Sequence, residues 1–166
     1  MISSQRRNLM TKVLIASDHA GFELKKFLVQ ALTTAGYQTY DLGPFNYNED
    51  DDYPLFVKTT VAKFFTDPTN TTGILICRNG VGVCAIANKY KGVRCALSWN
   101  PVHAESAKND DNANFLALGA DYLDPAQAYA ICQRFLQTSF SASARHIRRL
   151  VQYANLGSTY DNSGHL

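Results

Sequence analysis

From Gly73 to Lys89 the chain reads Gly-Ile-Leu-Ile-Cys-Arg-Asn-Gly-Val-Gly-Val-Cys-Ala-Ile-Ala-Asn-Lys: an apolar run stops at a glycine-spaced polar loop and resumes at helical spacing. This is a strand, a loop and a helix, and a strand followed by a crossover helix pairs with parallel neighbours. Gly80 and Gly82 let the loop backbone approach a ligand, and the helix starting near Val81 aims its free N–H groups into the same space, which suits an anion. Cys77 ends the strand, at the edge where open α/β sheets bind ligands, and a helix N-terminus favours the thiolate. The stretch supports two readings: a reactive thiol facing an anion cradle, or a small buried hydrophobe followed by a turn.

The same alternation recurs along the chain. The run 12–17 ends at Asp18-His19-Ala20-Gly21, and Phe22, Leu24, Phe27, Leu28, Ala31 and Leu32 then follow at helical spacing. Gly36 closes that helix, 38–42 alternates as a second strand, and Asn46-Tyr-Asn-Glu-Asp-Asp-Asp52 reads as a solvated acidic loop before a helix from Tyr53-Pro54 to Phe64. Beyond the central unit come a fourth strand at 93–97, a helix at 101–108 ending in Asn109-Asp-Asp-Asn112, and a fifth strand at 115–119. A helix capped by Asp124-Pro125 runs to about 138, and a last helix occupies 141–156. Five strands alternating with helices predict a three-layer α/β/α sandwich on a five-stranded, parallel, Rossmann-like sheet with a C-terminal helix.

The 166 residues suffice for one core and are too few for two comfortable ones, so a single domain over 12–157 is expected, with 1–11 a polar leader and 158–166 a flexible tail. A formal charge of +2 supplies no basic field for nucleic acid, and no segment approaches the roughly 20 apolar residues of a membrane span. The leader has no apolar stretch of the kind a signal peptide needs. Cys77, Cys84, Cys95 and Cys132 lack paired metal-ligand spacing, which predicts reduced thiols, a cytoplasmic location and no metal.

At the carboxyl edge of such a sheet the sequence gathers Asp18 and His19, the loop 77–82 and the cluster 109–112. Singly these are ordinary: an aspartate before a helix is commonly a cap, and a histidine is commonly a satisfied structural residue. Arg145, Arg148 and Arg149 form either a solvated helix face or a fork for a phosphate dianion; Arg145 and Arg149, four apart, share a face that Arg148 leaves.

Six segments fall together in order: Ser17-Asp-His-Ala-Gly-Phe-Glu-Leu-Lys25, Asp52-Tyr-Pro54, Ile76-Cys-x-x-Gly-Val-Gly82, Ala87-Asn-Lys89, Gly92-Val-Arg94 and Ser143-x-Arg-His-x-x-Arg149. Over about residues 12–155 the chain resembles the type B ribose-5-phosphate isomerases and the related galactose-6-phosphate isomerase subunits. The resemblance implies aldose–ketose isomerisation of a phosphorylated sugar through a cis-enediolate, without metal or other cofactor. Ribose 5-phosphate to ribulose 5-phosphate is the first reaction to expect; another pentose or hexose phosphate, or a phosphosugar-binding protein without activity, is the alternative. It also implies Cys77 as base, the backbone N–H groups of Arg78, Asn79, Gly80, Val81 and Gly82 as oxyanion hole, and Asp18 and His19 as sugar-hydroxyl and phosphate-side contacts. Tyr53 then lines the pocket, Arg145 and Arg149 clamp the phosphate, and the site is shared across a homodimer.

The chain departs from that pattern at identifiable places. The usual Cys-Gly-Thr/Ser-Gly is Cys77-Arg78-Asn79-Gly80, the ring-opening histidine position is Asp110, followed by Asp111, and the arginine of Gly-x-Arg after the last strand is Asp121. Arg78 is expected to replace that lost cation. An ordinary aspartate is ionised at neutral pH and donates nothing. Two carboxyls in one pocket resist double ionisation, so Asp110 and Asp111 either share a proton and act as the acid, or stand exposed, ionised and structural.

Overall fold

The computed structural model describes residues 11–155. Among these, strands β1 (Lys12–Ser17), β2 (Gln38–Asp41), β3 (Thr71–Cys77), β4 (Cys95–Leu97) and β5 (Phe115–Gly119) form a five-stranded sheet in the order β2-β1-β3-β5-β4. Every neighbouring pair is parallel. Helices α1 (Phe22–Thr34), α2 (Tyr53–Phe64), α3 (Val81–Ala87), α4 (Pro101–Asp111) and α5 (Pro125–Gln137) flank it, and α6 (Ala144–Asn155) follows. None of them is long and apolar enough to cross a membrane. The leader, Thr11 apart, and the segment 156–166 lie outside the described residues.

Side chains alternate across a strand, so each strand feeds two layers. Val13, Ile15, Ile74, Ile76, Leu116 and Leu118 pack with Leu28 of α1, Ala104 of α4, and Ile131 and Phe135 of α5. Leu14, Ala16, Leu75, Cys77, Phe115 and Ala117 pack on the other face with Val57, Val61 and Phe64 of α2 and Val83 and Ala87 of α3. The expected three-layer sandwich is therefore present. β3, at the centre and buried over its whole length, needs apolar residues on both faces, which is why its sequence is a continuous run.

Helix starts follow their capping chemistry. Asn100 Oδ1 accepts from the backbone N–H of His103 at 2.8 Å, with Pro101 in the first turn of α4. Asp124 and Gln127 cap α5 reciprocally, at 2.8 and 3.1 Å.

Several boundaries differ from the sequence expectation, three of them for an identifiable local reason. α4 does not stop at 108 but runs through Asp111, where Asn112 takes a left-handed conformation (φ 48°) and donates its N–H to Ala107. β4 is only Cys95–Leu97, because Val93 turns back to donate its N–H to Tyr90. α6 begins at Ala144, after an irregular stretch in which Ala142 has φ 50°.

Candidate active site

β1 and β3 lie side by side, with Ser17 opposite Ile76, so the turn after β1 and the loop after β3 emerge together. The N–H of Asp18 donates to the carbonyl of Ile76 at 3.2 Å, and the buried Asp18 carboxylate accepts from the N–H of Gly21 at 3.1 Å. Desolvation raises the Asp18 carboxyl above its ordinary range, offset in part by that hydrogen bond. His19, in the 3-10 turn that follows, donates both its backbone N–H and its Nδ1–H to Asp51 Oδ1, at 2.9 and 2.7 Å.

The loop after β3 is closed by its own side chains. Cys77 is 4% exposed, and its Sγ accepts from the N–H of Gly80 at 3.2 Å; Asn79 Oδ1 accepts from the N–H of Val81 at 3.0 Å, starting α3. Gly80 adopts φ 76°, and a Cβ there would lie 2.5 Å from Leu97 and 2.9 Å from the Leu118 backbone, so no other residue fits this turn. A Cβ on Gly82 would lie 2.7 Å from the ring of Tyr53. The start of α2 thus places Tyr53 against the loop.

Arg78 and Asp121 resolve two of the departures together. Arg78 Nη1 meets Asp121 Oδ2 at 3.1 Å, and the Asp121 N–H donates to the Arg78 carbonyl at 3.0 Å. Arg78 is thus not a free replacement for the missing cation: its charge is paired with the acid that stands in that cation's place.

The cluster 109–112 is not at this edge, which corrects the expectation. α4 leaves the carboxyl end of β4 and runs back to the amino end of β5, where Asn114 donates its N–H to Arg94 and accepts from Gly73. Asp110 and Asp111 therefore stand at the opposite edge from Cys77. The burial that a shared proton requires is missing at Asp110 within one chain: its side chain is 41% exposed, and hydrogen bonds from the Asn109 amide (2.7 Å) and Ser106 (3.2 Å) hold its carboxyl below the usual range. Asp111 instead lines a cleft of about 640 Å³ with Arg94, Cys95, Arg149 and Tyr153.

Arg145 and Arg149 belong to this second edge as well. Arg145 Nε donates to Nε2 of His146 at 3.1 Å; that ring is buried and sits with Nδ1 2.7 Å from Ser141 Oγ and 3.9 Å from Asp110. A guanidinium only donates, so Nε2 accepts and Nδ1 carries the proton. Within one chain the candidate residues therefore fall into two groups: Asp18, His19, Tyr53 and 77–82 at one edge of the sheet, and Asp110, Asp111, Arg145 and Arg149 at the other.

Two residues escape a reading of the sequence. Asp51 was submerged in an acidic run that looks solvated, and the adjacent Asp-Tyr-Pro is its only marker. The burial of His146 follows from the irregular stretch before α6, which carries no periodicity. Among the described residues no three His, Cys, Asp or Glu side chains gather as a metal-binding group.

Residues 13–153 match the family model described as Ribose/Galactose Isomerase. Ribose-5-phosphate isomerase B of Mycolicibacterium paratuberculosis is 39% identical over 139 residues, covering 84% of this chain and 87% of that protein. The crystal structure of ribose-5-phosphate isomerase B from Mycoplasma genitalium with bound ribulose-5-phosphate superposes with a TM-score of 0.83 at 38% identity, covering 87% of this chain and 94% of that one. The enzyme of the same name from Clostridium thermocellum gives a TM-score of 0.85 at 31% identity, over 91% of this chain and 100% of its own. Carried by this match along nearly the whole described chain, the conclusion is that the protein belongs to the ribose/galactose isomerase family.

Proposed function

We propose that this chain is an aldose–ketose isomerase that interconverts ribose 5-phosphate and ribulose 5-phosphate through a cis-enediolate. The observation that carries the reading is Cys77 at the end of β3, its sulfur 3.2 Å from the Gly80 N–H, with the buried Asp18 leaving the neighbouring β1 at the same edge. It gains support from a relative of 38% identity whose structure holds ribulose 5-phosphate.

In the forward direction Cys77, as thiolate, takes the proton from C2 of the open aldose. The C–H electron pair becomes the C1–C2 double bond, and the negative charge moves to O1. Backbone N–H groups of the loop 78–82 receive that charge, those of Gly80 and Val81 only by leaving Cys77 Sγ and Asn79 Oδ1, which they now meet, and such donors are typically worth about 3 kcal/mol each in a preorganised site. Return of the proton to C1, with passage of the O2 proton to O1, gives the ketose. Asp18 receives a sugar hydroxyl, Tyr53 walls the pocket, and His19 faces the phosphate side.

The phosphate clamp of Arg145 and Arg149 completes the site from a second copy of the chain. Within one chain that clamp stands at the far edge of the sheet, whereas in a two-fold pair each Cys77 half-site can meet the partner's arginine half-site. α6 supports this arrangement: Ile147 and Val151, one turn apart, are 46% and 56% exposed, an apolar stripe suited to burial against a second subunit.

The test is incubation with ribose 5-phosphate in deuterated water, followed by NMR. Ribulose 5-phosphate should appear with deuterium on the exchanging carbon. No product and no exchange above the buffer control would reject the reading.

A further inference from the structure

We infer that Asp51 is a positioning residue of the Cys77 half-site, fixing the tautomer and aim of His19; the inference rests on the function proposed above. Asp51 Oδ1 accepts twice from His19, from the backbone N–H at 2.9 Å and from Nδ1–H at 2.7 Å. An ionised carboxylate offers only acceptor sites, so Nδ1 must carry the proton and Nε2 is left to face a ligand. Because both bonds end on one oxygen, the histidine backbone and ring are located together, which removes the ring's freedom to rotate.

Burial marks this carboxylate as something other than a surface charge. Its side chain is 9% exposed, and Oδ2 is shielded from solvent with no hydrogen-bonding protein group among the described residues. A buried carboxylate oxygen left unpaired costs stability, and the only return for holding Asp51 inward among the described residues is its pair of bonds to His19 through the other oxygen. Three groups face the histidine: Asp18 from its own turn, Asp51, and the ring of Tyr47, edge-on at 6.3 Å.

The loop that carries Asp51 is tied down at both ends. Lys25, 1% exposed, donates to both oxygens of Asp41 at 2.6 and 2.7 Å and to the carbonyl of Pro44 at 2.7 Å. At the far end α2 begins at Tyr53, which rests on Gly82. Between these anchors the loop lies as a strap over the β1 turn, with Tyr47 also edge-on to Phe22 at 6.1 Å. The acidic run is therefore half solvent and half site.

The inference is tested with Asp51→Ala and Asp51→Asn, using nitrogen-15 NMR of the imidazoles at a pH where His19 is neutral, together with steady-state kinetics on ribose 5-phosphate. Asp51→Ala should lose the Nδ1–H tautomer of His19 and raise KM roughly tenfold or more, the scale expected for a lost hydrogen bond to a charged group, with a smaller change in kcat. Asp51→Asn retains an acceptor oxygen and should restore the tautomer and most of KM. An unchanged tautomer in Asp51→Ala overturns the inference, whatever happens to activity, and so does an Asp51→Asn that fails to restore it. The tautomer is read without substrate, so an inactive wild-type protein would reject the proposed reaction and leave this result standing. Should Asp51→Ala not fold, Asp51→Asn compared with Asp51→Ser carries the same two measurements.

Discussion

Cys77 occupies a position where a hydroxyl can replace the thiol with little loss of contact, since a serine oxygen can also accept the Gly80 N–H that now ends on the sulfur. Cys77→Ser should therefore melt near wild type and still bind phosphorylated ligand, while kcat falls by roughly a hundredfold or more, the range for a lost general base. A rapid Cys77→Ser enzyme would move the base to Asp18. That neighbour makes a separate prediction from its burial. Desolvation raises the folded-state Asp18 carboxyl above its unfolded value, so the ionised form is penalised in the fold. The penalty is absent below the ordinary carboxylate range, grows as pH rises through the raised value, and is complete above it. Asp18→Asn, which keeps an acceptor for Gly21, should accordingly be more stable relative to wild type at neutral pH than in acid; a stability difference that does not vary with pH would contradict it.

At the level of elements, α4 shows why part of the chain was legible and part was not. The Cys77 loop could be read because glycine at φ 76° and a continuous apolar strand are local demands that leave local marks. The end of α4 could not, because Asn109-Asp-Asp-Asn112 has turn composition, and only Ala104 and Ala107 are buried along the helix. What extends it is tertiary: the Lys108 ammonium sits over the ring of Phe135, 5.3 Å from its centroid, and donates to the carbonyl of Ala113 at 2.9 Å. Burial, with the nearby charge of Arg94, pushes the Lys108 ammonium down to about 8 from an ordinary 10.5. Between those values the unfolded chain holds a proton that the folded chain has released, so stability rises with pH over that window. Lys108→Met removes the proton and keeps the stem. Urea midpoints measured across the window should show wild type gaining on Lys108→Met as pH rises, and a constant offset between the two would refute the assignment.

For the whole molecule, five strand runs were enough to announce a parallel sandwich, but the placement of the site required the direction of every connection. α4 has 11 residues and so spans about 16 Å, enough to carry Asp110 and Asp111 from one edge of the sheet to the other. Motif order in a sequence does not record that reversal, and it separates Arg145 and Arg149 from Cys77 within one chain. If a two-fold dimer joins the halves, lesions in opposite halves must complement. In a dimer of one Cys77→Ser chain and one Arg149→Ala chain, one site inherits both lesions and the other inherits neither. Equal mixing with free subunit exchange makes half the dimers hybrid, each with one intact site, so activity should recover to about one quarter of wild type. Cys77→Ser mixed with His19→Ala places a lesion in every site, because both residues lie in the same half, and should recover nothing. Two inactive proteins that regain activity only in the first mixture would establish the shared site, whereas no recovery in either, with exchange verified by native mass spectrometry, would return the arginine clamp to some role outside the Cys77 site.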